Sequence, residues 1–188
     1  SDNEYLTIIN TARVKRMDLM EYYDSRQNIL DIERGTLFLL AEELNRFKKE
    51  KGLKDFTDLL EDFIAKSLPG SLEVLFIDEA QDLSLIQWEM VRHLWKYAKK
   101  TYIAGDDDQA IFKWAGADVD HFIALKEEVN DIKVLDQSYR IPGGPIHELS
   151  QRIINKVQNR FEKQYKPRDE IGLLKRYSDI TQVDMSEG

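Results

Sequence analysis

The stretch VLFIDEAQDLS, residues 74–84, decides the fold. Its apolar run is typical of a buried parallel strand, and it leads directly into Asp78 and Glu79, with a third carboxylate at Asp82. Neighbouring carboxylates raise each other's pKa, so such a cluster needs compensation. A hard cation such as Mg²⁺ would provide it. Alternatively, Asp78 and Asp82 cap the following helix and complement its dipole.

Short apolar runs alternate with helical patterns after Gly70 and predict an α/β fold with a parallel sheet. The runs occupy 73–78, 101–106 and 132–137. Between the first two, residues 84–100 predict a helix with Ser84 as its N-cap, and residues 146–161 predict another. Polar clusters follow the three runs at 78–82, 105–109 and 137–140. Because parallel strands end at one edge of a sheet, we expect the three clusters to converge there.

The residues before Gly70 predict a mostly helical segment. In the first of two clear patterns, Leu37, Leu40, Leu44 and Phe47 share one helix face, and Gly52 marks its end. Residues 55–70 repeat the pattern up to Pro69 and Gly70, and residues 6–23 also favour a helix. We therefore expect a mostly helical segment at 1–70, part of an α/β domain at 71–142 and a helix with a tail at 143–188. From about residue 166 the chain is expected to be a polar linker or the start of another domain.

Composition limits the classes of protein that fit. A chain of 188 residues with 42% hydrophobic residues can bury a core, and its net charge of −8 argues against a dedicated nucleic-acid-binding domain. The segment 151–176, however, holds eight Lys or Arg against three Asp or Glu, which fits a phosphate-facing groove or a solvated helix face. Without cysteine, apolar spans or a leader, a cytoplasmic protein with no membrane partner is expected.

Three motifs resemble those of superfamily 1 DNA helicases of the UvrD/Rep/PcrA type, in the family's order and spacing. LFIDEAQDLS resembles the Walker B motif, IAGDDDQAIFKWAGAD at 103–118 resembles the next motif, and LDQSYR at 135–140 resembles the one after it. The resemblance is firm over about 56–142. It implies a partial RecA-like P-loop NTPase fold, preceded by a helical 1B-like insertion and followed by the start of a second motor lobe.

The resemblance implies an ATP site with Mg²⁺. Asp78, with Glu79 beside it, would bind the metal, and Glu79 would activate the attacking water. Gln109 would sense the γ-phosphate and couple its loss to DNA contacts. Tyr139 would stack on adenine, and Arg140 would act as an arginine finger, a group that stabilises transition-state charge. Considered alone, Tyr139 and Arg140 also fit a surface ion pair.

The same resemblance implies contacts with single-stranded DNA and duplex junctions. Phe112 and Trp114, with Lys113 between them, would bind bases by stacking, a mode that needs no particular sequence. Core packing is the ordinary alternative for two aromatic residues. Phe112 replaces the more usual tyrosine of the family and Ala115 a common arginine, so one backbone or phosphate contact is expected to be lost.

A P-loop, G-x-x-x-x-G-K-[ST], occurs nowhere in the 188 residues. We therefore expect a central fragment of an ATP-dependent DNA helicase that does not turn over ATP by itself. The alternative is a non-hydrolysing regulatory or interaction module derived from the same scaffold. A metal-dependent nuclease would also use the carboxylates, but it would leave Gln109, Tyr139 and Arg140 without a role.

Overall fold

The computed structural model describes residues 3–26, 32–66, 70–179 and 181, which fall into two compact units, Ser1–Leu125 and Lys126–Gly188. The first unit contains helices α1 to α6 and strands β1 and β2: α1 (Glu4–Val14), α2 (Leu19–Asp24), α3 (Arg34–Lys51), α4 (Phe56–Ile64), β1 (Leu72–Ile77), α5 (Leu85–Trp95), β2 (Ala98–Ile103) and α6 (Val119–Ala124). The second contains β3 (Gln137–Gly143), α7 (Pro145–Ile154) and β4 (Lys166–Ile171). The chain is thus a mixed α/β protein with short parallel sheets, as the sequence predicts.

The predicted helix ending at Gly52 is confirmed as α3, and Gly52 closes it with a φ of 64°. Its buried face is narrower than predicted. Leu37 is fully buried and Leu44 packs against the core, but Leu40 is 39% exposed and Phe47 50%. The core beneath α3 consists of aliphatic and aromatic side chains from α1 and α2, which pack against Leu37, Ala41 and Leu44.

The opening segment forms two helices rather than the continuous one that its pattern favours. The break lies at Arg16, whose φ of 54° is left-handed and incompatible with an α-helix. Asp18 then starts α2 by accepting hydrogen bonds from the Met20 and Glu21 backbone N–H groups, at 2.8 and 3.1 Å. The helix predicted over 55–70 ends at Ile64, and Pro69 lies outside the described residues.

Ion pairs connect α1, α3 and α4. Arg13 and Lys48 both contact Asp55 and Asp58, at 2.5 to 2.9 Å. Burial by itself would raise the pKa of each carboxyl group, but hydrogen bonds from Lys48, backbone N–H groups and Arg13 outweigh it and lower the pKa of both. The cluster therefore stabilises the helical part of the unit most at pH values where both carboxylates are ionised.

The parallel pair of β1 and β2 positions the candidate site. Its register joins Leu72 to Ala98 and Ile77 to Ile103. The intervening helix, α5, packs against both strands with Trp88 and Val91 almost fully buried. The predicted N-cap is confirmed: Ser84 starts α5, and its backbone N–H donates to Gln87 Oε1 at 2.9 Å. Strand, helix and parallel strand form the βαβ unit that the sequence predicts.

The predicted third strand is misplaced. Residues 132–136 of the predicted run are not in a strand, although Asp136 O accepts the Lys166 N–H at 2.6 Å, and Leu135 is 85% exposed. Strand β3 begins at Gln137 and pairs in parallel with β4, in an irregular register around Pro142. The cluster at 137–140 therefore forms a strand instead of following one. The polar linker expected from residue 166 is also wrong at its start, because Lys166–Ile171 is β4.

Across residues 3–26, 32–66, 70–179 and 181, none of the helices combines the length and apolar character needed to span a membrane.

Candidate active site

The site lies at the carboxyl ends of β1 and β2. Beyond the strands, backbone hydrogen bonds continue the pairing: Ala104 N–H donates to Ile77 O at 2.8 Å, and Ala80 N–H donates to Ala104 O at 3.0 Å. The polar segments 78–82 and 105–109 therefore leave the sheet side by side. This edge is where ligands bind in open parallel sheets.

Asp78 and Glu79 are exposed at this edge. Asp78 Oδ1 accepts the Glu79 backbone N–H at 2.9 Å. Glu79 has a φ of 50°, a left-handed conformation that costs a non-glycine residue about 1–2 kcal/mol. Strain of this kind is concentrated at functional sites. Since Ser84 is the N-cap of α5, neither Asp78 nor Asp82 occupies that position, and the helix-cap interpretation of the carboxylates fails there.

Gln81 joins the two polar segments. It is buried, with 1% of its surface exposed. Its Nε2 donates to Glu79 Oε2 at 2.8 Å, and its Oε1 accepts the Asp106 backbone N–H at 2.9 Å. The Gln81 amide thus links Glu79, which is expected to activate water, to the segment after β2.

Gln109 belongs to the segment after β2. It ends a 3-10 turn, Asp107–Gln109, which Asp106 starts by accepting the Asp108 backbone N–H at 3.2 Å. Gln109 Nε2 donates to Asp106 Oδ2 at 2.6 Å, while the residue as a whole is exposed. The sequence prediction that Gln109 meets the acidic pair at one sheet edge is therefore consistent with the contacts through Gln81 and Asp106.

The aromatic residues proposed for DNA lie on an exposed loop. Trp114 is 73% exposed and Phe112 44%, and their rings lie 6.4 Å apart at 52°. This exposure argues against the core-packing alternative. Lys113 is also exposed, with its Nζ 3.7 Å from Asp120 Oδ2. Gly116, with a φ of 109°, closes the turn.

The loop is anchored to the start of α5. Ala117 forms a bridge with Ser84, and Asp118 N–H donates to Leu83 O at 2.9 Å. Beside the loop lies a cavity of about 240 Å³ that reaches α4, with Phe56, Asp82 and Phe112 among its lining residues. The aromatic loop and the DEAQD segment are therefore parts of one packed region.

Tyr139 and Arg140 lie on β3, in the second unit. Tyr139 is 82% exposed, and Arg140 is exposed with its backbone N–H 3.3 Å from Ser138 Oγ. Their expected roles at adenine and at the γ-phosphate stay predictions.

The carboxylates of Asp78 and Glu79 suit an Mg²⁺ ion that is bound together with a nucleotide. Among the described residues there is no group of three or more His, Cys, Asp or Glu side chains that could hold an ion. Mg²⁺ at phosphoryl-transfer sites needs only one or two carboxylates, because water and the phosphates fill its other positions. Exposed Asp78 and Glu79 can supply those carboxylates, so the magnesium assignment stays a prediction that the geometry allows.

Comparison with known families agrees with the motifs. Residues 6–130 match the UvrD/REP helicase N-terminal domain. The chain belongs to the UvrD/REP helicase family. It is 33% identical over 166 residues to a probable DNA helicase II homologue of Rickettsia felis, covering 84% of this chain and 22% of that protein.

Two relatives in this helicase family are named ATP-dependent DNA helicase Rep. The protein from Buchnera aphidicola subsp. Baizongia pistaciae is 27% identical over 139 residues, 67% of this chain and 20% of its own length. The protein from Escherichia coli K12 is 31% identical over 102 residues, 53% of this chain and 15% of its own length. The chain thus spans about a fifth of the length of these relatives.

Sequence reasoning assigned no role to Gln81 or Asp106, although both stand inside helicase-family motifs. The available signal was the Gln81 amide in DEAQD, which stands between the carboxylates of Glu79 and Asp82. Its burial and its partner after β2 depend on how two distant segments meet, and spacing along the chain does not encode that.

Proposed function

We propose that this chain carries the metal-binding and water-activating end of an ATP site, together with the single-strand-binding loop, of an ATP-dependent DNA helicase. The observation that supports it best is the joining of Glu79 and Gln109 at one sheet edge through Gln81 and Asp106. ATP, Mg²⁺, single-stranded DNA and duplex junctions are the proposed ligands. The segments 1–70, 71–142 and 143–188 are proposed as the 1B-like insertion, the partial motor domain and the start of the second lobe.

The proposed division of labour follows the chemistry of each side chain. Asp78 and Glu79 would hold Mg²⁺, which when bound would supply positive charge beside the phosphates. Glu79 orients and deprotonates the attacking water, and Gln109 contacts the γ-phosphate. Arg140 stabilises charge that develops on the transferring phosphoryl group, and Tyr139 stacks on adenine.

DNA binding is assigned to Phe112, Lys113 and Trp114. Two exposed rings on one short loop offer stacking surfaces for successive bases, worth about 1–3 kcal/mol per base. Lys113 adds a positive charge for the phosphate backbone. Phe112 follows Gln109 by three positions, so the proposed nucleotide and DNA contacts lie on one continuous segment.

Hydrolysis is proposed to require a P-loop, which these 188 residues do not contain. In a P-loop, backbone N–H groups and the lysine position the phosphates. Glu79 and Gln109 would act on phosphates held in this way. The purified chain is therefore expected to show no DNA-stimulated ATP hydrolysis. Hydrolysis that is stimulated by poly(dT) and lost in Glu79→Gln would contradict this proposal.

Titration of a fluorescein-labelled dT oligonucleotide, read by anisotropy at low salt, tests the DNA assignment. Trp114→Ala is expected to weaken binding about 5- to 150-fold, which corresponds to one lost stacking contact. Phe76→Ala is the matched control, because Phe76 is also 73% exposed but stacks on Tyr102 of β2. Equal affinities of the wild type and Trp114→Ala would remove the stacking role. Absence of any dT binding would instead favour the non-enzymatic interaction module.

A further inference from the structure

We propose that Gln81 is a positioning residue that couples the water-activating Glu79 to the loop carrying Gln109 and the DNA-binding aromatics. A change at Gln109 or on that loop would reach Glu79 through the Gln81 side chain. This inference rests on the proposed function, because it takes Glu79, Gln109 and Phe112 in the roles assigned there.

The coupling is a continuous chain of hydrogen bonds. Gln109 Nε2 donates to Asp106 Oδ2 at 2.6 Å. The Asp106 backbone N–H donates to Gln81 Oε1 at 2.9 Å, and Gln81 Nε2 donates to Glu79 Oε2 at 2.8 Å. Both ends of the Gln81 amide are therefore engaged, one with each polar segment. A side chain with only a donor or only an acceptor would connect to one segment alone.

Packing holds the Gln81 amide in one place. Only 1% of Gln81 is exposed, and its neighbour Ala80 is fully buried. A Cβ on Gly105 would lie 2.7 Å from Gln81 Oε1 and 2.8 Å from Phe122 Cζ. The absence of a side chain at Gly105 thus makes the room that the amide occupies. A confined amide in a region shielded from water transmits a displacement at one end to the other.

The Gln109 amide has two alternative partners, Asp106 and a phosphate group. In the structure it is bonded to Asp106, and a rotation of the Gln109 side chain that directs this N–H to a phosphate would break that bond. Asp106, whose Oδ1 also accepts the Asp108 N–H, would then shift, and its own backbone N–H is bonded to Gln81. The aromatic loop begins three residues after Gln109. A single DNA strand stacked on Phe112 would therefore act on the 3-10 turn that ends at Gln109. A physically contiguous element with two arrangements is what coupling between sites requires.

Three variants separate coupling from an ordinary structural role. Gln81→Leu removes the hydrogen bonds to Glu79 and Asp106, together with a longer one from Nε2 to Asp82 Oδ2 at 3.4 Å. Gln81→Glu keeps an acceptor for the Asp106 N–H and, when its carboxyl group is ionised, has no donor for Glu79, so it is measured at a pH above the pKa of that group. Gln87→Leu is the control, because it removes a neighbouring amide that serves the α5 cap and does not contact Glu79 or Asp106. Thermal unfolding shows which variants are folded at the temperature of measurement.

The first measurement needs no DNA. Gln109→Ala deletes the donor to Asp106, and ¹⁵N NMR spectra of the intact chain record the resulting shift of the Glu79 amide signal. We expect the shift caused by Gln109→Ala to be at least threefold smaller in the Gln81→Leu and Gln81→Glu backgrounds than in the wild type. In the Gln87→Leu background it should stay within a factor of two of the wild-type shift. The Asp106 amide should still respond to Gln109→Ala in Gln81→Glu, since its acceptor is retained. An undiminished Glu79 response in both Gln81 variants would overturn the proposal.

The second measurement adds a saturating dT oligonucleotide. The wild type should show a shift at Glu79 on DNA binding, and Gln81→Leu should lose that shift while its affinity for dT changes less than twofold. If dT binds and Glu79 responds equally in Gln81→Leu, the coupling is wrong and the proposed function stands. If dT does not bind the wild type, the proposed DNA role fails, and the Gln109→Ala comparison still decides whether Gln81 couples the two segments.

Discussion

Gly105→Ala is the perturbation whose cost the structure defines most sharply. The new methyl group would meet Gln81 Oε1 at 2.7 Å and Phe122 Cζ at 2.8 Å, distances that Cβ atoms do not tolerate. Overpacking of a core typically costs about 1–3 kcal/mol. Displacement of the Gln81 amide also weakens the bond from the Asp106 N–H, a further loss of about 0.5–1.5 kcal/mol. We therefore expect the free energy of unfolding to fall by about 1.5–4.5 kcal/mol.

Urea unfolding followed by tryptophan fluorescence measures this loss, with an unchanged m-value showing that only stability has changed. Gly52→Ala is the control with open space: nothing lies within 4 Å of its Cβ position, and its cost of about 1–2 kcal/mol comes from the left-handed φ alone. The NMR signal of the Asp106 amide should shift in Gly105→Ala and stay in place in Gly52→Ala. A loss below about 0.5 kcal/mol in Gly105→Ala would refute the close packing of Gln81 against Gly105.

Three further predictions concern the scaffold. Ser84→Ala should destabilise the chain by about 0.5–2 kcal/mol in urea unfolding, because it removes the N-cap residue of α5; no change would deny that role. Leu37→Ala should cost about 2–5 kcal/mol, since Leu37 is fully buried, whereas a near-neutral result would mean that α3 does not pack as described. Because the pKa of Asp55 is lowered on folding, its stabilising contribution is present above the unfolded value of about 3.9 and is lost as the pH falls below it. Asp55→Asn should flatten the loss of stability between about pH 5 and pH 2, and an unaltered acid profile would exclude the ion cluster as its cause.

The parts of the fold that the sequence predicted are those set by local chemistry. The short apolar run before Asp78 identifies a parallel strand, although β1 is not buried as predicted, since Val74 and Phe76 are exposed. Ser84 and Gly52 mark helix ends through their own backbone preferences. The positions of Asp78, Glu79 and Gln109 at one edge then follow from the parallel pairing of β1 and β2.

The errors share a different cause, which is contact between distant segments. Residues 132–137 contain a short apolar pattern like that of a strand, yet only Gln137 is in a strand, and the partner of β3 is β4 rather than β2. Leu40 and Phe47 follow the helical period of Leu37, but no described core residue covers them, and both are exposed. Gln81 joins the two polar segments because it accepts a hydrogen bond from the backbone N–H of Asp106, 25 residues away. Periodicity and spacing do not carry such information.

The central claim is that Asp78 and Glu79, with Gln109 beside them, form the metal and phosphate end of an ATP site. Paramagnetic broadening of ¹⁵N NMR signals by Mn²⁺ with ATP tests this most directly, since Mn²⁺ prefers the same oxygen ligands as Mg²⁺. We expect the amide signals of Asp78, Glu79 and Gln109 to broaden at the lowest Mn²⁺ concentrations, and Asp78→Asn to remove that preference. Broadening that is uniform over the acidic surface, or unchanged in Asp78→Asn, would contradict the claim.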